Sequence, residues 1–426
     1  GSSTSLRSSN TLEERSIQHD PNLMGCREMS RSCPSKISAP QYSSVELIEK
    51  LVAFDTTSSK SNLQLIEFVQ SYLASYDVQS TLVFDQTHLK ANLYATIGPQ
   101  DRGGVMLSGH TDVVPVDGQN WTTDPFAVTR KDNALYGRGT ADMKTFIAAV
   151  LAAVPYFVTS DLSTPIHFAF SYDEEIGCVG VRRLIELVSG LPIRPALCIV
   201  GEPTNMSVVN SHKGKLAYRV SVTGREAHSS LPLIGVNAVD YAAELIVFIR
   251  KLAKDISIRG PFADGFDVNY TTLHTGNVRG GGALNIVPNA CEFEFEIRNI
   301  PDQDPHSIAE QIRSYVNSVL IPEMKLVDEQ CGIEFIKLSG YPGMFTPATE
   351  KVVNFVRSLT GESDTKKISF GTEGGLFAER LGIPTVICGP GSIEQAHKAN
   401  EFIELSQVAL IEAMLVRLVN ELRKSD

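Results

Sequence analysis

At 426 residues the chain is longer than one hydrophobic core usually organises, so two domains are expected. Apolar residues make up 42% and charged residues 20%, the balance of an ordinary globular protein rather than a disordered one. The 49 acids against 38 Lys and Arg leave a formal charge of -11, which excludes a protein that grips nucleic acid through a general basic field. No stretch reaches the ~18 apolar residues of a membrane span, so no membrane partner is expected.

Residues 1–42 lack an apolar run and are expected to be a tail or leader outside the fold. Helical spacing begins near Ser43, where SVELIEKLVAF and LQLIEFVQSYLASY place apolar residues three and four apart. GVMLSGH reads as a strand. A loop through VDGQNWTTDPF follows, then a helix that starts near Asp142 and runs through MKTFIAAVLAAVPYF. Next come the strand IHFAFSYDEE, a helix through VGVRRLIELVSG and the strand ALCIVGEPT. This alternation predicts an α/β fold, a sheet covered by helices.

After Lys213 the pattern changes. KLAYRVSVTG, DVNYTTLHTGNV, ACEFEFEIRNI and GIEFIKLSG read as strands, with long helices through VNAVDYAAELIVFIRKLAKD and HSIAEQIRSYVNSVL. Helices segregated among antiparallel strands predict an α+β sandwich of about a hundred residues. From about Thr346 the α/β alternation resumes, with the strand PTVICGP and a last helix through QVALIEAMLVRLVNELRK. The expected organisation is a larger domain over 43–213 and 323–426, interrupted by an inserted domain over 214–322. The seven cysteines, Cys26, Cys33, Cys178, Cys198, Cys291, Cys331 and Cys388, are odd in number and contain no C-x-x-C pair. Reduced thiols in a cytoplasmic protein are the simplest expectation.

The chemistry-bearing residues fall at particular places in this pattern. His110 and Asp112 (GHTD), Glu174 and Glu175 (YDEEIG), Glu202 (GEPT) and His397 (GPGSIEQAH) each follow a predicted strand, and Asp142 (GRGTADMK) opens a helix. Open α/β sheets gather their ligands at such strand ends. Each segment alone has a plainer reading. His-x-Asp occurs in surface turns, Asp142 can cap its helix, and paired glutamates are usually solvated. Their convergence fits a site that binds divalent metal through His nitrogen and carboxylate oxygen. The run from Arg279 to Gly282 lacks the G-x-x-x-x-G-K-[ST] spacing of a phosphate loop and reads as a flexible turn.

The motifs GHTDVVPVDGQNWTTDPF, GRGTADMK, DEEIGCVG, GEPT and GPGSIEQAHKANEF resemble the metallo-aminoacylase and carboxypeptidase family, from about Ser43 to the C-terminus. That family includes acetylornithine deacetylases, succinyl-diaminopimelate desuccinylases and glutamate carboxypeptidases, and GPGSIEQAH is most similar to the first branch. The resemblance implies a metallopeptidase-like catalytic domain with a mixed sheet and flanking helices, plus an inserted lid domain that forms a homodimer and closes the cleft by hinge motion. It implies two zinc ions, which cobalt or manganese can replace. Asp142 bridges them, His110 and Glu202 complete one site, and Glu175 and His397 the other. Glu174 is then the general base, and Asp112 orients His110.

The same resemblance makes His228 (GREAHSS) an oxyanion stabiliser in a neighbouring subunit's site. On the residues alone His228 is a surface turn. Arg298 shares the polar face of its strand with Glu292, Glu294 and Glu296, which it can simply balance. Family members use this arginine to hold the substrate carboxylate. Asn285, Thr372 with Glu373, Gly391 and Ser392 are expected to contact substrate. The implied reaction is hydrolysis of an N-acyl amino acid, with desuccinylase, general aminoacylase and exopeptidase or dipeptidase activity as alternatives. A catalytically silent metal-binding protein is the non-enzymatic alternative.

Overall fold

The computed structural model describes residues 41–423. Nearly all of the expected tail, with Cys26 and Cys33, lies outside the described residues. The strands in chain order are β1 (Ser80–Phe84), β2 (Ala91–Ile97), β3 (Val105–His110), β4 (Thr129–Lys131), β5 (Ala134–Tyr136), β6 (Ile166–Ser171), β7 (Leu197–Val200), β8 (Val208–His212), β9 (Lys215–Thr223), β10 (Thr272–Gly280), β11 (Ala290–Arg298), β12 (Gly332–Tyr341), β13 (Met344–Phe345), β14 (Thr365–Ile368), β15 (Thr385–Ile387) and β16 (Phe402–Glu404).

The larger sheet is mixed, in the order β1-β2-β6-β3-β7-β15-β8-β13, with β14 beside β8. Its centre, β6-β3-β7-β15, is parallel. Such strands are covered on both faces and read as near-continuous apolar runs, as VMLSGH and IHFAFS do. Helices α1 (Ser44–Val52), α2 (Leu63–Ser75), α3 (Lys144–Ala152), α4 (Val154–Thr159) and α5 (Val181–Ser189) flank it, together with the C-terminal helix Leu405–Leu422. Helix α3 is buried along almost its whole length, so it is apolar all round rather than on one stripe. The helix expected to run unbroken through Tyr156 is interrupted at Ala153, which caps α3, and Pro155 sits in the first turn of α4.

The smaller sheet is antiparallel, in the order β10-β11-β9-β12, and packs against α6 (Ala238–Arg259) and α7 (Pro305–Tyr315). Alternation fixes its faces. Cys291, Phe293, Phe295 and Ile297 are buried under the helices, while the glutamates between them face the other way. Strand β12 pairs with β9 from Gly332 to Tyr341. A boundary at 322 therefore assigns β12 to the wrong sheet, and pairing puts the return crossing just after Tyr341. No helix among the described residues is long and apolar enough to cross a membrane.

Candidate metal centre

His110 is the last residue of β3, and Glu174, Glu202 and His397 follow β6, β7 and β15, so all four parallel strands deliver a residue to one edge of the sheet. Asp142 arrives from the turn before α3, two residues ahead of the helix rather than in its first turn. Two glycines let α3 pack close beneath these ends. A Cβ on Gly109 would meet Met143 Cε at 2.8 Å, and one on Gly201 would meet the Phe146 ring at 2.0 Å. Each glycine directly precedes a ligand candidate, so side-chain bulk there would push His110 or Glu202 out of place.

Asp142 occupies the middle of the cluster. Its Oδ1 lies 3.0 Å from His110 Nε2, and its Oδ2 lies 3.2 Å from His397 Nε2. Each histidine has its own glutamate: Glu202 Oε1 lies 3.6 Å from His110 Nε2, and Glu175 lies 3.1 Å from His397 Nε2. Glu174 Oε2 sits 3.9 Å from His110 Nε2. Donor atoms of His110, Glu174 and Glu202 lie within 4.8 Å of one another, as do those of His110, Asp142 and Glu175. Asp112 lies behind. It accepts the backbone N–H of Glu174 at 3.0 Å and of Glu175 at 3.2 Å, and Ser58 Oγ at 2.6 Å. His110 Nδ1 is closer to the carbonyl of Asp112, at 2.9 Å, than to its carboxylate, at 3.4 Å. The main chain of Asp112 thus shares in orienting the ring.

Four carboxylates and two imidazoles in so small a volume disturb one another strongly. Burial, reinforced by neighbouring carboxylates, pushes Glu174 and Glu202 well above the usual range and Glu175 up to about 7. Burial opposes charge on His110, but Glu202, Asp112, Asp142 and Glu174 outweigh it and raise the ring's pKa well above normal. Hydrogen bonds from its ring to the carboxylates of Asp142 and Glu175 raise His397 to about 10. Excess negative charge, borderline N and O donors and a central carboxylate fit divalent cations, which would offset the repulsion.

The model of peptidase family M20/M25/M40 matches residues 106–421. The chain belongs to this family. Its members are metal-dependent hydrolases, and the cluster just described lies within the matched segment. An acetylornithine deacetylase of Proteus mirabilis is 33% identical over 387 residues, covering 88% of this chain and 95% of the relative. One from Myxococcus xanthus is 34% identical over 377 residues, covering 87% and 95%. Among solved structures, an M20 metallo-carboxypeptidase from Sulfolobus solfataricus aligns with a TM-score of 0.71 at 18% identity, covering 89% of this chain and 99% of that one. A tripeptidase from Staphylococcus aureus gives 0.67 at 22% identity, covering 89% and 97%. These two likenesses bear on the fold.

In this M20 chain the carboxylate–histidine cluster opens into a cavity of about 260 Å³ lined by Asp142, Glu174, Glu175, Glu202 and His397, and across from them by Lys215, Arg298 and Tyr341. Arg298 Nη1 donates to Tyr341 Oη at 3.0 Å and its Nε to Glu296 at 2.9 Å, while Lys215 Nζ approaches the same Glu296 carboxylate at 3.3 Å. Lys215 and Tyr341 escape a sequence reading because each ends a strand at the crossing between the two sheets, where periodicity carries no signal. The other expected substrate contacts do not line the cavity. Thr372 is fully buried, and its Oγ1 accepts the backbone N–H of Gly374 at 3.0 Å; Phe370 and Gly371 reach the cavity instead. Glu373 is equally buried, bonded to Ser171 Oγ at 2.5 Å and raised to about 7 by burial. Gly391 donates its N–H to Gln407 at 3.1 Å, Ser392 Oγ caps the turn at Glu394, and their neighbour Ile393 is the lining residue. His228 and Asn285 lie together on the inserted sheet's outer loops, where Ser229 N–H donates to the Asn285 carbonyl at 3.0 Å and His228 Nδ1 contacts Ser230.

Proposed function

We propose that this chain hydrolyses the amide of an N-acyl amino acid, and that its substrate is N-acetyl-L-ornithine. The reading is carried by Asp142, whose two oxygens face two histidines, each with its own glutamate, leaving Glu174 beside the cluster. Asp142, His110 and Glu202 would hold one cation, and Asp142, Glu175 and His397 the other, zinc being the first choice. Bound there, the pair would polarise the acyl carbonyl and acidify water.

Glu174 then takes the proton of the attacking water and returns it to the departing α-amine. Its raised proton affinity suits both transfers. Arg298, seconded by Lys215, holds the free carboxylate of the amino acid, for which a guanidinium fork is well shaped. His228 is exposed and outside its own cavity, beside the exposed apolar side chains Leu233 and Leu284. This supports a homodimer through the inserted domain, in which His228 serves the neighbouring site. The five described cysteines are all free, which supports a reducing, cytoplasmic setting.

The relatives named acetylornithine deacetylase support the choice of substrate. The test is amine release by zinc- or cobalt-loaded protein from N-acetyl-L-ornithine, beside succinyl-diaminopimelate, acetyl-methionine and a dipeptide. Preference for the first supports the full reading, and preference for another keeps the mechanism and replaces the substrate. Glu174→Gln is expected to keep its metal and lose about 10²–10⁴-fold in kcat. Full turnover in that variant would remove Glu174 from the proton transfers.

A further inference from the structure

We propose that the buried ion pair Arg138–Glu401 is a clamp that sets the second metal position, the one served by Glu175 and His397. The inference rests on the two-metal reading above. Both side chains are 1% exposed, and Arg138 Nη1 lies 2.8 Å from Glu401 Oε2. Neither lines the cavity. Their remaining bonds run to the segments that carry Asp142 and His397 and to the 115–119 loop, which itself bonds to His397.

On one side Glu401 Oε1 accepts the backbone N–H of Ala141 at 2.9 Å and of Asp142 at 3.0 Å. On the other, Arg138 Nη1 donates to the carbonyl of Lys398, next to His397, at 3.2 Å. Arg138 Nη2 donates to the carbonyl of Pro115 at 3.2 Å and to Gln119 Oε1. Gln119 Nε2 in turn donates to the carbonyl of His397 at 3.0 Å. The Trp121 ring covers the guanidinium at 5.1 Å.

His397 needs this support more than the other ligands do. His110 ends a strand held by neighbours on both sides, and Glu202 follows the next one. His397 sits on a loop, is half-exposed, and has left-handed backbone at φ 62, as Asn400 does at φ 59. Left-handed backbone is uncommon for non-glycine residues, histidine and asparagine being among the types that adopt it most readily, and contacts from the surroundings help to hold it. A fully buried ion pair seldom adds net stability over an apolar pair, because both charges lose their hydration. Here its bonds are spent on the relative position of two ligand-bearing segments, which makes Arg138 and Glu401 positioning residues.

The test is cobalt titration of the full chain, followed by visible absorption and metal analysis, in wild type, Glu401→Gln and Gln119→Leu. Glu401→Gln keeps an oxygen for the two N–H groups but removes the charge that Arg138 pairs with. Gln119→Leu leaves both charges of the ion pair in place but removes the link to the His397 carbonyl, together with the bonds Gln119 accepts from Arg138 and Trp121. Expected is a second-ion affinity about 10–100-fold weaker in Glu401→Gln and several-fold weaker in Gln119→Leu, with the first ion within about threefold of wild type. Where Glu401→Gln folds, its second-ion affinity decides; where it does not fold, that of Gln119→Leu decides. An unchanged second-ion affinity in the deciding variant overturns the clamp, as does equal loss of both ions. A wild type that takes up fewer than two ions overturns it as well. A wild type that takes up two ions yet cleaves no acyl amino acid sinks the proposed reaction and leaves the clamp measurable.

Discussion

His397 Nε2 lies 3.1 Å from each carboxylate oxygen of Glu175, a symmetric contact between a strand-end residue and a loop residue far along the chain. If the two share one cation, removing either removes the same ion. His397→Ala and Glu175→Ala are each expected to bind one metal equivalent in place of two, and the double variant no less than either single one. Metal analysis after dialysis checks this. Additive losses would show that the two residues serve different ions.

Lys215 and Arg298 share Glu296 and face the carboxylate–histidine cluster across the cavity. A cation that only holds substrate acts on ground and transition state alike, so KM rises while kcat holds. Arg298→Met is expected to raise KM for the acyl amino acid about 10–100-fold, and Lys215→Met about tenfold, with kcat within a few-fold. Steady-state kinetics on one substrate separates the two constants. A fall confined to kcat would place these cations in the chemical step instead.

Gly201 stands against the Phe146 ring, which an added Cβ would meet at 2.0 Å. Gly201→Ala is expected to cost about 1–3 kcal/mol of stability through overpacking, and to weaken metal binding because Glu202 is the next residue. Trimming the obstruction with Phe146→Leu in the same chain should restore part of both. Denaturant midpoints and metal affinity measured on the two variants check the coupling.

His167 on β6 is 5% exposed, with Nδ1 at 3.0 Å from Tyr94 Oη and 2.9 Å from Thr96 Oγ1. Burial depresses its pKa from 6.5 to about 4, so the folded chain holds it neutral. Between those values the unfolded chain binds a proton that the folded chain refuses, and stability falls as pH falls through the window. The loss is complete below about pH 4 and amounts to roughly 2–3 kcal/mol. Against His167→Gln, wild type should lose that amount between pH 7 and pH 4. Parallel stability curves for the two proteins would show an ordinary histidine.

The grouping of His110, Glu174, Glu175, Glu202 and His397 is legible in the sequence because these residues follow parallel strands, and such strands announce themselves as short apolar runs such as VMLSGH and ALCIV. Spacing alone left Asp142 as a possible cap, and only the motif resemblance gave it a central role. The far side of the cavity was not legible in the same way. Arg298 was found through its motif, but Lys215 and Tyr341 come together with it only because β9 and β12 are paired. Thr372 shows the opposite failure. A polar residue in a glycine-rich motif reads as a contact residue, yet here its hydroxyl is spent on the next turn. Arg138 lies within GRGTADMK and Glu401 within GPGSIEQAHKANEF, yet nothing local shows that charges so far apart in sequence are buried together.

The chain enters the inserted sheet through Gly214 and leaves it through Gly343, and the two crossings touch: a Cβ on Gly214 would meet Gly343 N at 2.7 Å. Lys215 and Tyr341 are paired at that joint, and Thr223 marks the far end of β9, roughly 25 Å away at the usual rise per residue. Such a joint would let the inserted sheet act as a lever pivoting beside the carboxylate–histidine cluster. A turn of about 10° about the joint would shift the far end of β9 by roughly 4 Å on that length while leaving the pivot nearly still. Under such a turn Lys215 and Arg298, near the pivot, would keep their reach, whereas His228, beyond the far end, would travel furthest. On the proposed roles, position along one sheet would separate residues able to grip a substrate in any posture from one able to arrive only in a particular posture.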